Sequence, residues 1–262
     1  MIYTVTFNPA IDYVVELVSF NIGEINRTTR EYMNLGGKGV NVSRVPNVAL
    51  GFVAGFTGDA LRNGLERMGV KTDFISLEEG NTRINVNIKG VEETDINARG
   101  PEIPNSAIDE LFKKLDNLQS GDTLVLAGSI PTSLPNDMYE RIMERLYGKG
   151  IRFVVDATRD LLVKSLKYEP FLIKPNNHEL GEIFGLELTK DNEIIYYARE
   201  LKKQGAKNVL ISMAGDGAIL VDENDVAHKI GTPKGKVKNS VGAGDSMVAG
   251  FCAGYLEKGD YK

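Results

Sequence analysis

Residues 122–157 open with DTLVLAG (122–128), continue through NDMYERIMERLYGKG (136–150) and close with IRFVVDA (151–157). The first run is continuously apolar and ends in glycine, the pattern of a strand buried on both faces of a parallel sheet. The second has helical periodicity and ends at a glycine. The third is a further apolar strand. Strand, crossover helix and parallel strand form one right-handed βαβ unit. The rhythm extends outward on both sides. NSAIDELFKKLDNLQ (105–119) is expected to be a helix, with Ser106 as candidate N-cap and Asp109 and Glu110 in its first turn. FLIKP (171–175), EIIYYARELKKQG (193–205) and KNVLISM (207–213) read as strand, helix and strand. AILVD (218–222) and DVAHKI (225–230) read as an antiparallel edge. The alternation predicts an α/β fold, an open and mostly parallel sheet with helices on both faces. Ligands belong at the carboxyl ends of such strands.

The first hundred residues follow a different pattern. IYTVTF (2–7) alternates and is rich in β-formers. YVVELVSF (13–20) and INRTTREYMN (25–34) read as strands, and NTRINVNIKG (81–90) with EETDINA (92–98) as a hairpin. Together they predict a small open sheet with one face in need of cover. No internal repeat, low-complexity tract or long linker interrupts the chain.

The 262 residues are enough for one large domain with a sizeable core. Apolar residues make up 42% and charged residues 26%, within the range of globular proteins. A net charge of -5 argues against nucleic acid or an anionic membrane as partner, but leaves room for a local basic pocket. The single cysteine, Cys252, excludes an intrachain disulfide and fits a reducing cytosol. With two histidines, His178 and His228, a zinc cage is not expected. MIYTVTFNPAID carries neither a basic n-region nor a long apolar h-region, so no leader is expected, and the expected location is cytoplasmic.

Two glycine loops carry chemical promise. GGKGVN (36–41) lets a backbone approach a ligand closely and adds Lys38 and Asn41. It is neither a Walker A loop nor a dinucleotide fingerprint, because Gly39 follows Lys38 and Val42 stands at the third glycine position. A plain turn remains the alternative. GAGD (242–245) sits where a loop becomes an apolar helix, and its amides would suit anionic oxygens. Favourable interaction of Asp245 with the helix dipole is the simpler account of the aspartate. In KPNNHEL (174–180), Asn176 and Glu179 share a face and suit a hydrated Mg²⁺, or else form a capping box. His178 is expected at the surface. Asp12 follows the first strand, as a sugar-hydroxyl acceptor or a turn aspartate. Arg83 projects from a strand, as a phosphate clamp or a solvent-facing residue. AGSIP (127–131) lacks the nucleophile-elbow pattern, and no Ser–His–Asp set is suggested.

In order, TFNPAID, GGKGVN, TRINV, AGSIP, KPN-x-x-E, SMAGDGAIL and NSVGAGDSMVAGF resemble the phosphofructokinase B branch of the ribokinase-like sugar kinases, over nearly the whole chain. NPAID, EETDIN and GAGDS look most like the members that act on fructose 1-phosphate. The resemblance implies a ribokinase-like three-layer α/β sandwich over 1–262, with a small β lid from about 11–35 and 81–103. It implies ATP-dependent phosphorylation of a ketose phosphate, fructose 1-phosphate to fructose 1,6-bisphosphate. Tagatose 6-phosphate and fructose 6-phosphate are the rival acceptors, and a non-catalytic sugar-phosphate sensor is the rival class. It assigns Asp245 as base and the amides of Gly242, Ala243 and Gly244 as anion hole. Asp12, Gly37, Lys38, Asn41, Arg83 and Asn97 would hold the sugar phosphate. Lys174, Asn176, Glu179, Ser212, Gly215 and Gly217 would serve ATP, with Asn176 and Glu179 reaching Mg²⁺ through water. A homodimer through the lid follows from the same likeness. SRVPNVALGF (43–52) is short against the pattern, and relatives continue beyond the equivalent of Lys262. Residues are expected to be missing at both places.

Overall fold

The structure is a computed structural model that describes residues 1–42, 48–157, 159–233, 235 and 242–261. The elements run β1 (Ile2–Thr6), β2 (Ala10–Glu16), β3 (Arg30–Gly36), α1 (Lys38–Val42), β4 (Val48–Ala54), α2 (Gly55–Arg67), β5 (Lys71–Thr72) and β6 (Ile75–Leu77). Next come β7 (Arg83–Lys89), β8 (Glu93–Ile96), α3 (Asn105–Asp116), β9 (Thr123–Ala127), α4 (Met138–Leu146), β10 (Arg152–Asp156), α5 (Arg159–Ser165) and β11 (Leu172–Ile173). The chain continues with α6 (Asn177–Phe184), α7 (Asp191–Lys203), β12 (Asn208–Ser212), β13 (Ala218–Val221), β14 (Ala227–Ile230) and α8 (Ala243–Lys258).

Among the described residues ten strands form the main sheet, in the order β14-β13-β12-β11-β10-β9-β1-β4-β5, with β6 also paired to β4. All pairings are parallel except β12 with β13 and β13 with β14. Every residue of β9 is buried, because helices cover both faces. On one face α3 places Ala107, Ile108, Leu111, Phe112 and Leu115 in the core, and α4 places Met138, Tyr139, Ile142, Met143 and Leu146 there. Those spacings are the one-sided apolar stripe of a core-facing helix. On the other face α8 buries Val248, Ala249 and Cys252 against β9, β10 and β12 residues. Its glycines do not pack on the sheet: among the described residues a Cβ on Gly250 or Gly254 would meet nothing within 4 Å. Among the described residues no helix is long and apolar enough to cross a membrane.

The second sheet has the order β3-β2-β7-β8. Asp12 lies opposite Asn34 on one side and Asn85 on the other, so these three side chains share one face. Ile11 leaves from the opposite face and packs with Leu61 and Leu65 of α2. Farther out on that face Met33, Ile84 and Ile96 are exposed.

Several boundaries differ from the expectations. Helix α3 begins before Ser106. Pro104 is the cap residue, and its carbonyl accepts from the amides of Ala107 and Ile108, so Ser106 lies inside the helix. Its first turn contains neither Asp109 nor Glu110. The strand expected at 13–20 starts at Ala10 and ends at Glu16, and the one expected at 25–34 starts at Arg30. Residues 17–29 connect them. Helix α4 ends at Leu146, short of Gly148. GGKGVN does not stay a turn: Lys38 opens α1, which buries Gly39, Val40 and Val42. Of the segment 43–52, expected to be short, residues 43–47 lie outside the described residues, as does Lys262.

Candidate active site

The carboxyl end of β10, Lys174 just after β11, α1, the start of α8 and one face of the small sheet meet around a cleft of about 360 Å³. Gly242 caps α8 in the left-handed region (φ 78°), which lets the chain turn abruptly into the helix. The first amides of any helix lack intrahelical acceptors, so those at the start of α8 have no partner within the helix. Gly244 also needs its small size, since a Cβ there would stand 3.1 Å from Lys174 Nζ.

Asp245 is buried in the first turn of α8. Asn41 Nδ2 donates to its Oδ2 at 2.8 Å. Burial pushes the carboxyl above its ordinary value, and nearby Asp156 pushes it the same way. The Asn41 hydrogen bond, Lys38 and Lys174 act against that rise. Burial thus sets the direction of the shift, and the helix dipole does not keep the acid unusually strong.

Lys38 Nζ lies 3.2 Å and Lys174 Nζ 3.4 Å from the same atom, Asp156 Oδ1. Burial works against the charged Lys38, but Asp156, with Asp245 and Glu179, outweighs it and holds the ammonium above its usual range. Asp12 is a strand residue, not a turn residue. Asn85 Nδ2 donates to its Oδ1 at 2.8 Å, and its Oδ2 packs over Gly36. Arg83 Nε donates to the Asn8 carbonyl at 3.1 Å. Burial lowers the Arg83 pKa, and Asp12 partly offsets this. Gly37 also lines the cleft. Asn97 lines a neighbouring cleft of about 480 Å³, which shares Lys38 and Arg83 with the first.

A Cβ placed on Gly36 would overlap Asp12 Oδ2. Gly36→Ala is therefore expected to displace the carboxylate rather than the backbone. If Asp12 binds the ligand of this cleft, the KM for that ligand should rise about 10-fold with little change in melting temperature, the loss of one good hydrogen bond to a charged group. An unchanged KM in steady-state assays would rule out this role for Asp12.

Asn176 and Glu179 form a capping box on α6. Asn176 Oδ1 accepts from the Glu179 amide at 2.7 Å, and Glu179 Oε2 accepts from the Asn176 amide at 2.8 Å. The simpler reading of this pair is the structural one, and Glu179 still adds to the field at Lys38. His178 is exposed, as expected. Ser212 bridges to Asn176 at the neighbouring strand end. Gly215 lies in the turn Ala214–Asp216, followed by Gly217. These three are not brought into the Asp245 cleft.

Asp156 and Asn85 stand outside the sequence motifs. Both had a signal. Asp156 ends IRFVVD, a parallel strand whose carboxyl end faces the ligand side. Asn85 stands two residues after Arg83 on the same strand and so shares its face.

The family model described as "pfkB family carbohydrate kinase" matches residues 5–262. The chain belongs to that family. A 1-phosphofructokinase of Bacillus subtilis is 47% identical over 260 residues, which cover 97% of this chain and 85% of the relative. A D-tagatose-1-phosphate kinase of Bacillus licheniformis is 38% identical over 258 residues, 96% of this chain and 84% of the relative. The crystal structure of Escherichia coli phosphofructokinase-2 with fructose-6-phosphate superimposes with a TM-score of 0.90 at 26% identity, covering 99% of this chain and 88% of that one. Membership in the pfkB family makes this chain a carbohydrate kinase, built on the ribokinase-like fold.

Proposed function

We propose that the chain transfers a phosphoryl group from ATP to the free terminal hydroxyl of fructose 1-phosphate, giving fructose 1,6-bisphosphate. One observation carries the reading: Asp245, the start of α8, Lys38, Asp12 and Arg83 all open onto one cleft. The B. subtilis relative supports this choice of acceptor. Asp245 takes the hydroxyl proton, and its raised pKa makes it a better base than an ordinary aspartate. The amides of Gly242, Ala243 and Gly244 meet charge developing on the transferring group. Arg83 and Lys38 hold the sugar's phosphate, Asp12 and Asn41 its hydroxyls, with Gly37 and Asn97 alongside. Lys174, Ser212, Gly215 and Gly217 lie toward the nucleotide phosphates.

Among the described residues no group of three or more His, Cys, Asp or Glu is arranged to hold a metal ion. That suits Mg²⁺ held mainly by phosphates and water, with Asn176 and Glu179 as outer partners. When bound, it would neutralise charge on the phosphoryl oxygens. The small sheet acts as a lid that limits entry of water. Its exposed Met33, Ile84 and Ile96 give it an apolar face for the lid of a second copy. A non-catalytic sensor would have no use for a buried base in the cleft.

The B. licheniformis relative favours a second acceptor, tagatose 1-phosphate, which differs from fructose 1-phosphate in configuration at carbon 4. A coupled ADP-release assay over fructose 1-phosphate, tagatose 1-phosphate, tagatose 6-phosphate and fructose 6-phosphate, with and without Mg²⁺, tests the reading. The expected result is highest kcat/KM on fructose 1-phosphate, strict need for Mg²⁺, and a dimer mass by light scattering. No turnover of any ketose phosphate, or a preference for a 6-phosphate, would overturn the assignment.

A further inference from the structure

Resting on the kinase reading above, we propose that Asn85 is a further substrate-binding residue, its Oδ1 accepting a hydrogen bond from a hydroxyl in the middle of the sugar phosphate. Asn85 is 7% exposed yet lines the Asp245 cleft. Its amide orientation is fixed by chemistry. The Asp12 carboxylate can only accept, so the group facing Asp12 Oδ1 at 2.8 Å is Nδ2. Oδ1 then faces away from Asp12, and it is buried with no hydrogen-bond partner among the described residues. Buried amide oxygens are nearly always paired, so an unpaired one on a residue that lines a polar cleft marks a place for a donor.

A sugar hydroxyl is a donor of the right kind. Arg83 lies two residues before Asn85 on the same strand face and suits the phosphate end. Asp245 suits the reacting end. Asp12 and Asn85 stand side by side in register between two strands. In the furanose form of fructose 1-phosphate the hydroxyls between the two ends are those on carbons 2, 3 and 4, and those on carbons 3 and 4 lie midway. A carboxylate and an amide oxygen at neighbouring positions can each accept from one of them. Sites that pair a substrate hydroxyl with a fixed polar partner discriminate strongly against analogues that lack it. The lid strand β7 would then read the sugar as well as cover it.

The test uses wild type, Asn85→Ala, Asp12→Ala and the double variant with fructose 1-phosphate and its 3-deoxy and 4-deoxy analogues, followed by ADP release. Wild type should disfavour both analogues. Asn85→Ala should raise KM for the parent about 10-fold, keep kcat within about threefold, and abolish discrimination against one analogue. In the Asp12→Ala background, Asn85→Ala should still cost affinity. Undiminished discrimination in Asn85→Ala overturns the proposal. So does full masking by Asp12→Ala, which would make Asn85 only a support for Asp12. Melting curves accompany each variant, and Asn85→Ser replaces the alanine variant where that one does not fold. Absence of wild-type turnover on fructose 1-phosphate would instead bring down the kinase reading itself.

Discussion

Asp245→Asn is expected to lower kcat by about 10²- to 10⁴-fold, the usual contribution of a general base, and to raise the melting temperature. The two effects have one cause. Burial raises the Asp245 pKa, so the folded protein disfavours the ionised form. For a carboxyl with a raised folded pKa, the stability it contributes is complete where it is protonated in both states. That contribution is lost as pH rises through the folded pKa. At neutral pH the ionised Asp245 therefore works against folding. Asparagine removes the charge and keeps an oxygen to accept from Asn41. The same direction governs catalysis. The wild-type kcat should fall on the acid side through a pKa above the ordinary 3.8, and the residual rate of the variant should lack that limb. Sugar-phosphate affinity should change little. A variant with wild-type turnover, or one that melts lower, would remove Asp245 from the base role assigned to it.

How far the sequence carried this reading varies along the chain. The βαβ units from 105 onward are legible because their strands are buried on both faces and their helices carry a clean apolar stripe. The antiparallel edge and the 81–98 hairpin are legible from alternation. The ends of elements are not, because they depend on capping. Pro104 starts α3 early through its carbonyl, which no pattern of Ser106 reveals. Strand β4 and helix α2 carry no clear pattern in the sequence. VALGFVA has a glycine in the middle of a buried strand, and GFTGDALRNGLER has three glycines that weaken its helical pattern.

The site shows the same division. Asp245, Lys38, Asn41, Asp12 and Arg83 stand in short motifs, and the fold brings them to one cleft. Asn176 and Glu179 match a family pattern and a capping box equally well in sequence, and the hydrogen bonds seen here are those of the box. Asp156 and Asn85 belong to no motif. Their importance comes from partners 118 and 73 residues away, a relation that only the folded chain contains.

Asp156 also carries the largest expected stability effect. Its side chain is 2% exposed, and that of Lys174 is 6% exposed. Both charges are out of water, so each depends on the other. Lys38, at 43%, is partly in solvent and adds less than Lys174 does. Asp156→Asn removes the negative charge and leaves the Lys174 ammonium buried against a neutral amide. Breaking a buried pair on one side costs about 3–5 kcal/mol. At about 2–4 °C per kcal/mol for a chain of this size, the melting temperature should fall by roughly 6–20 °C. Lys174→Met should be milder, because Asp156 retains Lys38. Asp156→Asn and Asp245→Asn are the same chemical change in the same cleft, yet they are expected to shift stability in opposite directions. One acid is held by two ammonium groups at a single oxygen, and the other is opposed chiefly by its own burial. Melting curves of the two variants side by side decide the point. Equal shifts, or a rise for Asp156→Asn, would mean that the Lys38–Asp156–Lys174 arrangement does not bind the cleft together. Lys38 would then hold its place by packing alone.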